Sequence, residues 1–254
     1  AELRPRAFIC ENVKGLTRES FHQYYEYILL RLQHPSLAKR EDETWEQHAV
    51  RLSRVHTSAD HEGLRYEVVP TVVDAADFGV PQHRHRVIIV GFRSDVEASW
   101  AFPRRTHGQD LSDWITLGEA VKNLPALNNE MHEGKAKAYP GHTGSVFDKP
   151  SKAIKAGVHG VPGGENMLRF DDGSLRYMTV REAARIQTFP DGYEFSGAWS
   201  EGMRQIGNAV PVELARVVAS SVACALREDT ARKQMNAFLT FGLKGVMANE
   251  AAPV

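Results

Sequence analysis

Cysteine is scarce in this chain. Cys10 and Cys224 are the only two among 254 residues, too few for a disulfide framework and suited to a reducing compartment. Long hydrophobic runs are also missing. No unbroken apolar stretch approaches the ~18 residues that span a bilayer, and no secretory leader opens the sequence, so a cytoplasmic protein without a membrane partner is expected. Excess charge is lacking too. The formal net charge is −1, so any basic, nucleic-acid-binding surface has to be local. His34, His48, His56 and His61 have no metal-ligand spacing and read as surface histidines.

What is present is ordinary globular material, 42% hydrophobic and 25% charged, enough for one large α/β domain or two small ones. The most informative stretch is residues 77–92, DFGVPQHRHRVIIVGF. Gly79 and Pro81 close a turn, and the β-branched run Val87-Ile88-Ile89-Val90 is that of a buried strand. Gln82, Arg84 and Arg86 recur at every second position and share one face of an extended chain, with His83 and His85 on the other. Two guanidiniums on one face require acceptors between them. Either an ion-pair ladder on an edge strand or an acceptor-rich ligand satisfies that requirement.

Other segments fill in the frame. Residues 7–10 form a strand reaching Glu11-Asn12-Val13, which places Glu11 where open α/β sheets keep their ligand crevice. Thr17 serves as N-cap of a packing helix whose stripe is Phe21, Tyr24, Tyr25, Ile28, Leu29 and Leu32, with the tyrosine pair in the core. Residues 64–73 alternate as a strand that Pro70 confines to an edge, pairing in an antiparallel hairpin with the 77–92 stretch. Beyond residue 92 regular patterning fades, apart from a short helix near 116–124. Residues 150–166 hold four glycines and two lysines, a loop whose backbone can approach another molecule or simply connect two elements. Thr179 and Glu182 make a capping box. Gly207-Asn208 then precedes a helix from Pro211 whose small-residue stripe runs through Val210, Leu214, Val217, Val218, Ser221, Val222 and Ala225, and whose free amides face the crevice.

The order of these motifs resembles the carboxyl-terminal motif series of bacterial C5-cytosine DNA methyltransferases: Glu11-Asn12-Val13, then Asp77 through Gln82-x-Arg84-x-Arg86, then 179–190, then Gln205-x-Gly207-Asn208-Ala209-Val210-Pro211. The match covers residues 7 to about 226. The resemblance implies that a thiolate adds to C6 of a flipped cytosine, making C5 nucleophilic toward the methyl of S-adenosyl-L-methionine. Glu11 then binds and protonates N3, Arg86 holds the pyrimidine O2, and Arg84 holds neighbouring backbone or the catalytic loop. Asn208 and Ala209 close over the cofactor. Gln82 anchors its turn at the DNA, and Lys152, Lys155, His159, Gly160, Gly163 and Gly164 approach the double helix from a compact target-recognition region that reads a short sequence. Restriction-modification is the implied setting, in a bacterial cytoplasm beside the nucleoid.

The sequence departs from that family in one large respect. The glycine motif for the cofactor, the acidic residue for its ribose and the Pro-Cys loop with the nucleophile are not found. Cys10 follows Ile inside a strand and, like Cys224, reads as a small core residue. The expected fold is therefore α/β, the carboxyl-terminal half of a doubly wound, Rossmann-like methyltransferase sheet with strands near 6–12, 65–73 and 86–92. Its expected divisions are 1–94 (sheet), 95–178 (target recognition), 179–226 (return to the catalytic domain) and 227–254 (tail). The chain is expected to be inactive alone and completed by an amino-terminal methyltransferase subunit or segment, with an open sheet edge that such a partner or a homo-oligomer covers. The alternative is a non-catalytic DNA-recognition module derived from the same family.

Overall fold

A computed structural model describes residues 2–58, 63–124, 136, 143–156 and 166–250. In chain order these contain β1 (Ala7–Val13), α1 (His22–Gln33), α2 (Trp45–Ser58), β2 (Tyr66–Asp74), β3 (Gln82–His83), β4 (His85–Arg93), α3 (Leu117–Val121), β5 (Ser151–Lys152), β6 (Met167–Arg169), β7 (Leu175–Tyr177), α4 (Val180–Ile186), α5 (Trp199–Asn208) and α6 (Val212–Glu250).

The main sheet has the order β1-β4-β2, with both pairings antiparallel. β4 lies in the middle because its apolar run has no polar face to offer solvent: Val87, Ile88, Ile89 and Val90 are all essentially buried. The expected hairpin of β2 and β4 is present. Pro70 stands opposite Ile89 on the outer strand β2, where a missing N–H is tolerated. The parallel neighbours of a doubly wound sheet do not occur in this sheet, since β1 and β2 run the same way but are separated by β4. β1 closes the other side with Ile9 and Val13 exposed.

The last helix covers one face of the sheet. Leu214, Val218 and Val222 of α6 share a core with Val73, Phe78, Ile88, Val90 and Phe92, flanked by Val210, Val217 and Ala225, so the small-residue stripe does face inward. Further along α6, buried Asp229 receives Arg6 at 2.7 Å and Lys233 at 3.0 Å. Its other oxygen accepts the Glu97 amide at 2.9 Å, which ties the helix to the chain before β1 and the chain after β4. The stretch Trp199–Leu239 is long and apolar enough to cross a membrane by length and composition alone, which the absence of an unbroken apolar run had argued against. Its residues Leu214, Val218 and Val222 instead pack on the sheet.

A second core joins Leu117, Ile154, Leu168 and Met178 to Ala183, Ala184, Ile186, Met203 and Ile206. Residues on both sides of position 178 thus share one apolar interior. The capping boxes at both short helices form: Thr116 with Glu119 on α3, and Thr179 with Glu182 on α4. Glu182 also takes a bidentate contact from Arg176 at 2.6 and 2.8 Å.

Several local expectations are corrected. Thr17 does not cap α1; its hydroxyl donates to the Lys14 carbonyl within a 3-10 turn, and α1 begins at His22. Phe21 lies before the helix, and Tyr27 is buried while Tyr24 and Phe21 are about half exposed. Cys224 is exposed rather than core, and Cys10 is half-buried with its thiol pushed up by burial. Two of the histidines are not on the surface: His34 and His48 are fully buried, while His56 is exposed as expected. His34 Nε2 meets His56 Nδ1 at 3.1 Å, and His61 lies outside the described residues. No group of metal-ligating residues exists among the described residues.

His48 joins α2 to α1 by contacts at both ring nitrogens. Nε2 donates to the Leu37 carbonyl at 3.0 Å, leaving Nδ1 to accept from the Tyr27 hydroxyl at 3.0 Å. That is a neutral ring, and burial followed by the Arg51 charge pushes its pKa down from the ordinary 6.5. A histidine depressed in the folded state stabilises the fold above its ordinary pKa and withdraws that stability as pH falls below it. The α1–α2 pair should therefore open first in acid. Amide hydrogen exchange should show protection of residues 22–58, corrected for intrinsic rate, lower at pH 5 than at pH 7.5, with the difference reduced in His48→Gln; equal corrected protection at the two pH values would contradict the assignment.

Candidate active site

The site is built from the turn between β2 and β3. Asp74 ends β2 and uses its carboxylate four ways: Oδ1 accepts the amides of Arg84 at 2.8 Å and Ala76 at 3.3 Å, while Oδ2 contacts His83 Nδ1 at 2.8 Å and His85 Nε2 at 3.7 Å. Gly79 closes the intervening 3-10 turn with φ of 82°, a left-handed conformation that favours glycine. The chain then re-enters as β3 and β4 with the predicted alternation. Gln82 and Arg84 point inward, 0% and 3% exposed, and His83 and His85 point out.

Arg84 is anchored entirely on backbone. Its guanidinium donates to the carbonyls of Ile154 at 2.7 Å, Gly207 at 2.6 Å and Ala209 at 3.2 Å. Burial, and then the Arg86 charge, push its pKa down to about 10, which still leaves it charged at neutral pH. Gln82 was expected at the DNA as well as at its turn; only the anchoring holds. Its amide nitrogen donates to the Gln187 side chain at 2.8 Å and the Ile186 carbonyl at 3.3 Å, and its oxygen accepts the Ile154 amide at 2.8 Å. A fully buried amide with these partners cannot reach DNA.

Gln187, which the sequence did not single out, completes the layer by donating to Ile206 and Ala209 carbonyls at 2.7 and 3.1 Å. Gly207 lets α5 approach: a Cβ there would stand 2.3 Å from the Ala156 nitrogen, inside any van der Waals contact. The sequence placed Gly207-Asn208 ahead of the last helix with free amides; they instead end α5, which the sequence reading did not find. The α6 amides are not free either, because Val212 N donates to the Gln187 carbonyl and Glu213 N to the Thr188 hydroxyl. Thr188 holds that hydroxyl in place from a left-handed φ of 59°, a conformation costly for a β-branched residue.

Arg86 turns to a different partner. Glu11 opposes Ile88 and Arg86 opposes Val13 across the β1–β4 ladder, so Glu11 and Arg86 are diagonal neighbours on one face. They meet at 2.5 Å between Arg86 Nε and Glu11 Oε1. The angle is outside hydrogen-bond geometry, so this is an ion pair, with the side chains 14% and 27% exposed. The carboxylate and the guanidinium expected to share a ligand are thus side by side, partly open to solvent.

The remaining site candidates are more peripheral. Asn208 is exposed, and Ala209 has its amide on the Ile206 carbonyl and its own carbonyl under Arg84 and Gln187. Lys152, on β5 beside β3, donates to the Thr143 hydroxyl at 2.7 Å. Lys155 is exposed, and its backbone is paired both ways with the Asn166 side chain. His159, Gly160, Gly163 and Gly164 lie outside the described residues.

A family model for C-5 cytosine-specific DNA methylase matches residues 46–144 and 137–224. The chain belongs to the C-5 cytosine-specific DNA methylase family. The type II methyltransferase M.BspRI of Lysinibacillus sphaericus is 31% identical over 253 residues, covering 87% of this chain and 52% of that protein. M.BsuRI of Bacillus subtilis is 33% identical over 248 residues, covering 87% and 50%. The chain therefore spans about half the length of these relatives. Among solved structures, Dnmt2 methyltransferase of S. pombe superposes with a TM-score of 0.55 at 17% identity, covering 85% of this chain and 64% of that one, which indicates a shared fold. Within this methylase chain the arginine motif falls inside the matched residues, and Glu11 precedes them.

The Arg84 clamp should govern stability. Arg84→Met leaves the buried Ile154 and Gly207 carbonyls without this donor, an expected loss of about 2–4 kcal/mol, and Arg84→Lys should lose most of it because an ammonium cannot span the fork. Gly207→Ala should destabilise comparably by forcing α5 off the Ala156 backbone. Urea midpoints for the three variants would test this; an unchanged midpoint in Arg84→Lys would show that the fork is not what holds these segments.

Proposed function

We propose that this methylase chain is the carboxyl-terminal part of a DNA (cytosine-5)-methyltransferase. On this reading it contributes half of a Rossmann-like catalytic sheet, and the nucleophilic cysteine and most of the S-adenosylmethionine site come from residues outside this sequence. The observation that carries it is the 2.5 Å pairing of Glu11 with Arg86 at the partly open end of two adjacent strands. A cytosine lifted from the duplex presents N3 and O2 on one edge. Negative charge enters the ring when a nucleophile adds at C6, so a proton donor at N3 and a fixed cation at O2 stabilise the same developing charge. Glu11 would hold the N3 proton, Arg86 would hold O2 and orient the carboxyl, and Arg84 would act through the backbone it clamps.

S-adenosylmethionine, when bound, supplies an electrophilic methyl group. Asn208 fits a cofactor-side role through its exposed side chain, whereas Ala209 could offer only its methyl surface, its backbone being engaged. The target-recognition role belongs to the segment carrying Lys152 and Lys155. The exposed β1 edge, with Ile9 and Val13, supports an amino-terminal subunit or segment there. The bacterial sources of the relatives favour a restriction-modification setting in a bacterial cytoplasm, with double-stranded DNA as the macromolecular substrate.

Tritium transfer from S-adenosylmethionine to DNA tests the whole reading. The chain alone should give none, and the chain completed by an amino-terminal part carrying the Pro-Cys loop should give turnover. In the completed enzyme Glu11→Gln should lower kcat by about 10²–10⁴ and Arg86→Lys by about 10²–10³. Turnover by the chain alone, or full turnover in Glu11→Gln, would overturn these roles; the latter with DNA binding retained would favour a recognition module.

A further inference from the structure

We infer that Arg104 and Arg105 form a phosphodiester-binding site at the rim of the candidate active site, gripping the nucleic-acid backbone beside the extruded nucleotide. The inference rests on the DNA reading above and adds residues that the sequence motifs did not mark.

The two arginines stand on a loop that the fold holds rigidly. Thr106 and His107 both donate backbone amides to the Asp77 carbonyl, at 2.9 and 3.1 Å, and the Trp114 indole donates to the Asp77 carboxylate at 3.1 Å. A tight turn follows, with Gly108 N on the Ser112 carbonyl at 2.9 Å and Leu111 N on the Gly108 carbonyl at 3.0 Å. Trp114 then packs edge-on against His83, ring centroids 4.9 Å apart. With Phe102 packed edge-on against Phe78 just before them, ring centroids 5.6 Å apart, and Thr106 and His107 tied to Asp77 just after them, the two arginines spend little conformational entropy when they bind.

Both guanidiniums are exposed, and neither is paired with a carboxylate or hydrogen-bonded among the described residues. They line a surface hollow of about 410 Å³ with Gln109, Asp110 and Leu111. Four other arginines find a carboxylate, Arg93 with Asp95, Arg185 with Asp191, Arg204 with Glu201 and Arg216 with Glu213, but Arg104 and Arg105 are adjacent and share one hollow. Adjacent cations preorganised on a fixed loop and left without a carboxylate suit an external polyanion.

Their place in the fold says which part of the polyanion. Asp77 lies in the turn that leads into Gln82, Arg84 and Arg86, and Arg86 opposes Val13 at the end of β1 that also holds Glu11. The loop and the Glu11–Arg86 pair therefore share one end of the sheet. In a chain of net charge −1, such a local pair is the kind of basic surface that DNA contact requires.

The test is the salt dependence of duplex binding by the 254-residue chain, read by fluorescence anisotropy from 50 to 300 mM KCl. Removing two phosphate contacts should reduce the slope of log K against log salt by about 1.8, at about 0.9 per contact on B-DNA. Arg104→Ala/Arg105→Ala should show that reduction, Arg104→Lys/Arg105→Lys should restore most of the slope, and Arg40→Ala/Arg54→Ala, which removes equal charge from the α1–α2 region, should leave it unchanged. A wild-type slope in the alanine pair, or an equal fall in the control pair, would overturn the inference while leaving the proposed chemistry standing. Failure of Glu11→Gln to affect turnover in the completed enzyme would do the reverse, and absence of salt-dependent retention by the wild-type chain would overturn the inference.

Discussion

A single buried cation fixes the relative position of most of what surrounds the site. The Arg84 guanidinium leaves the β3–β4 junction and gathers carbonyls from residue 154, from the last turn of α5 and from the residue after it. No carboxylate neutralises it directly. Three carbonyl dipoles take that part, and a planar fork suits the task because it can address separate acceptors at once. The Gln82–Gln187 pair lies in the same layer and repeats the principle with neutral groups. Segments more than a hundred residues apart in sequence are thereby held in one register, and Gly207 is the residue whose missing Cβ allows that register to close.

With Arg84 occupied inward, Arg86 is free to face the open end of the sheet. The division is set by alternation together with depth. Both arginines share one strand face, but the first is overlaid by the second apolar core, whereas the second reaches the margin and meets Glu11. One motif therefore supplies a cation committed to backbone and, two residues on, a cation paired with a carboxylate at the sheet margin. The outward face of the same stretch has its own order, with Asp74 organising His83 and His85 and the Asp77 loop stacked beside them.

Much of this was legible in the residues. The three long strands, the hairpin, the edge position of Pro70, the shared face of Gln82 and Arg84, the Thr179–Glu182 capping box and the apolar stripe of α6 follow from local periodicity and capping chemistry. The errors have a common cause, which is that local pattern does not say what lies on top of it. Histidines with unremarkable spacing became buried bridges because α2 folds over α1. Tyr27 rather than Tyr24 is buried in α1 because Trp45 and His48 of α2 pack on it. Trp199–Asn208 was missed because its glycine-bearing end looked like a helix entrance when it is a helix exit.

The sequence by itself determined the family and the order of its motifs, since these depend on residue type and spacing along the chain. Only the tertiary structure decided which arginine is committed to backbone, that Gln82 is sealed from any ligand, and that Gln187 and Thr188 hold the start of α6. Those outcomes are set by distances between residues remote in sequence, and burial assigns each polar group either to a partner inside the protein or to a ligand outside it.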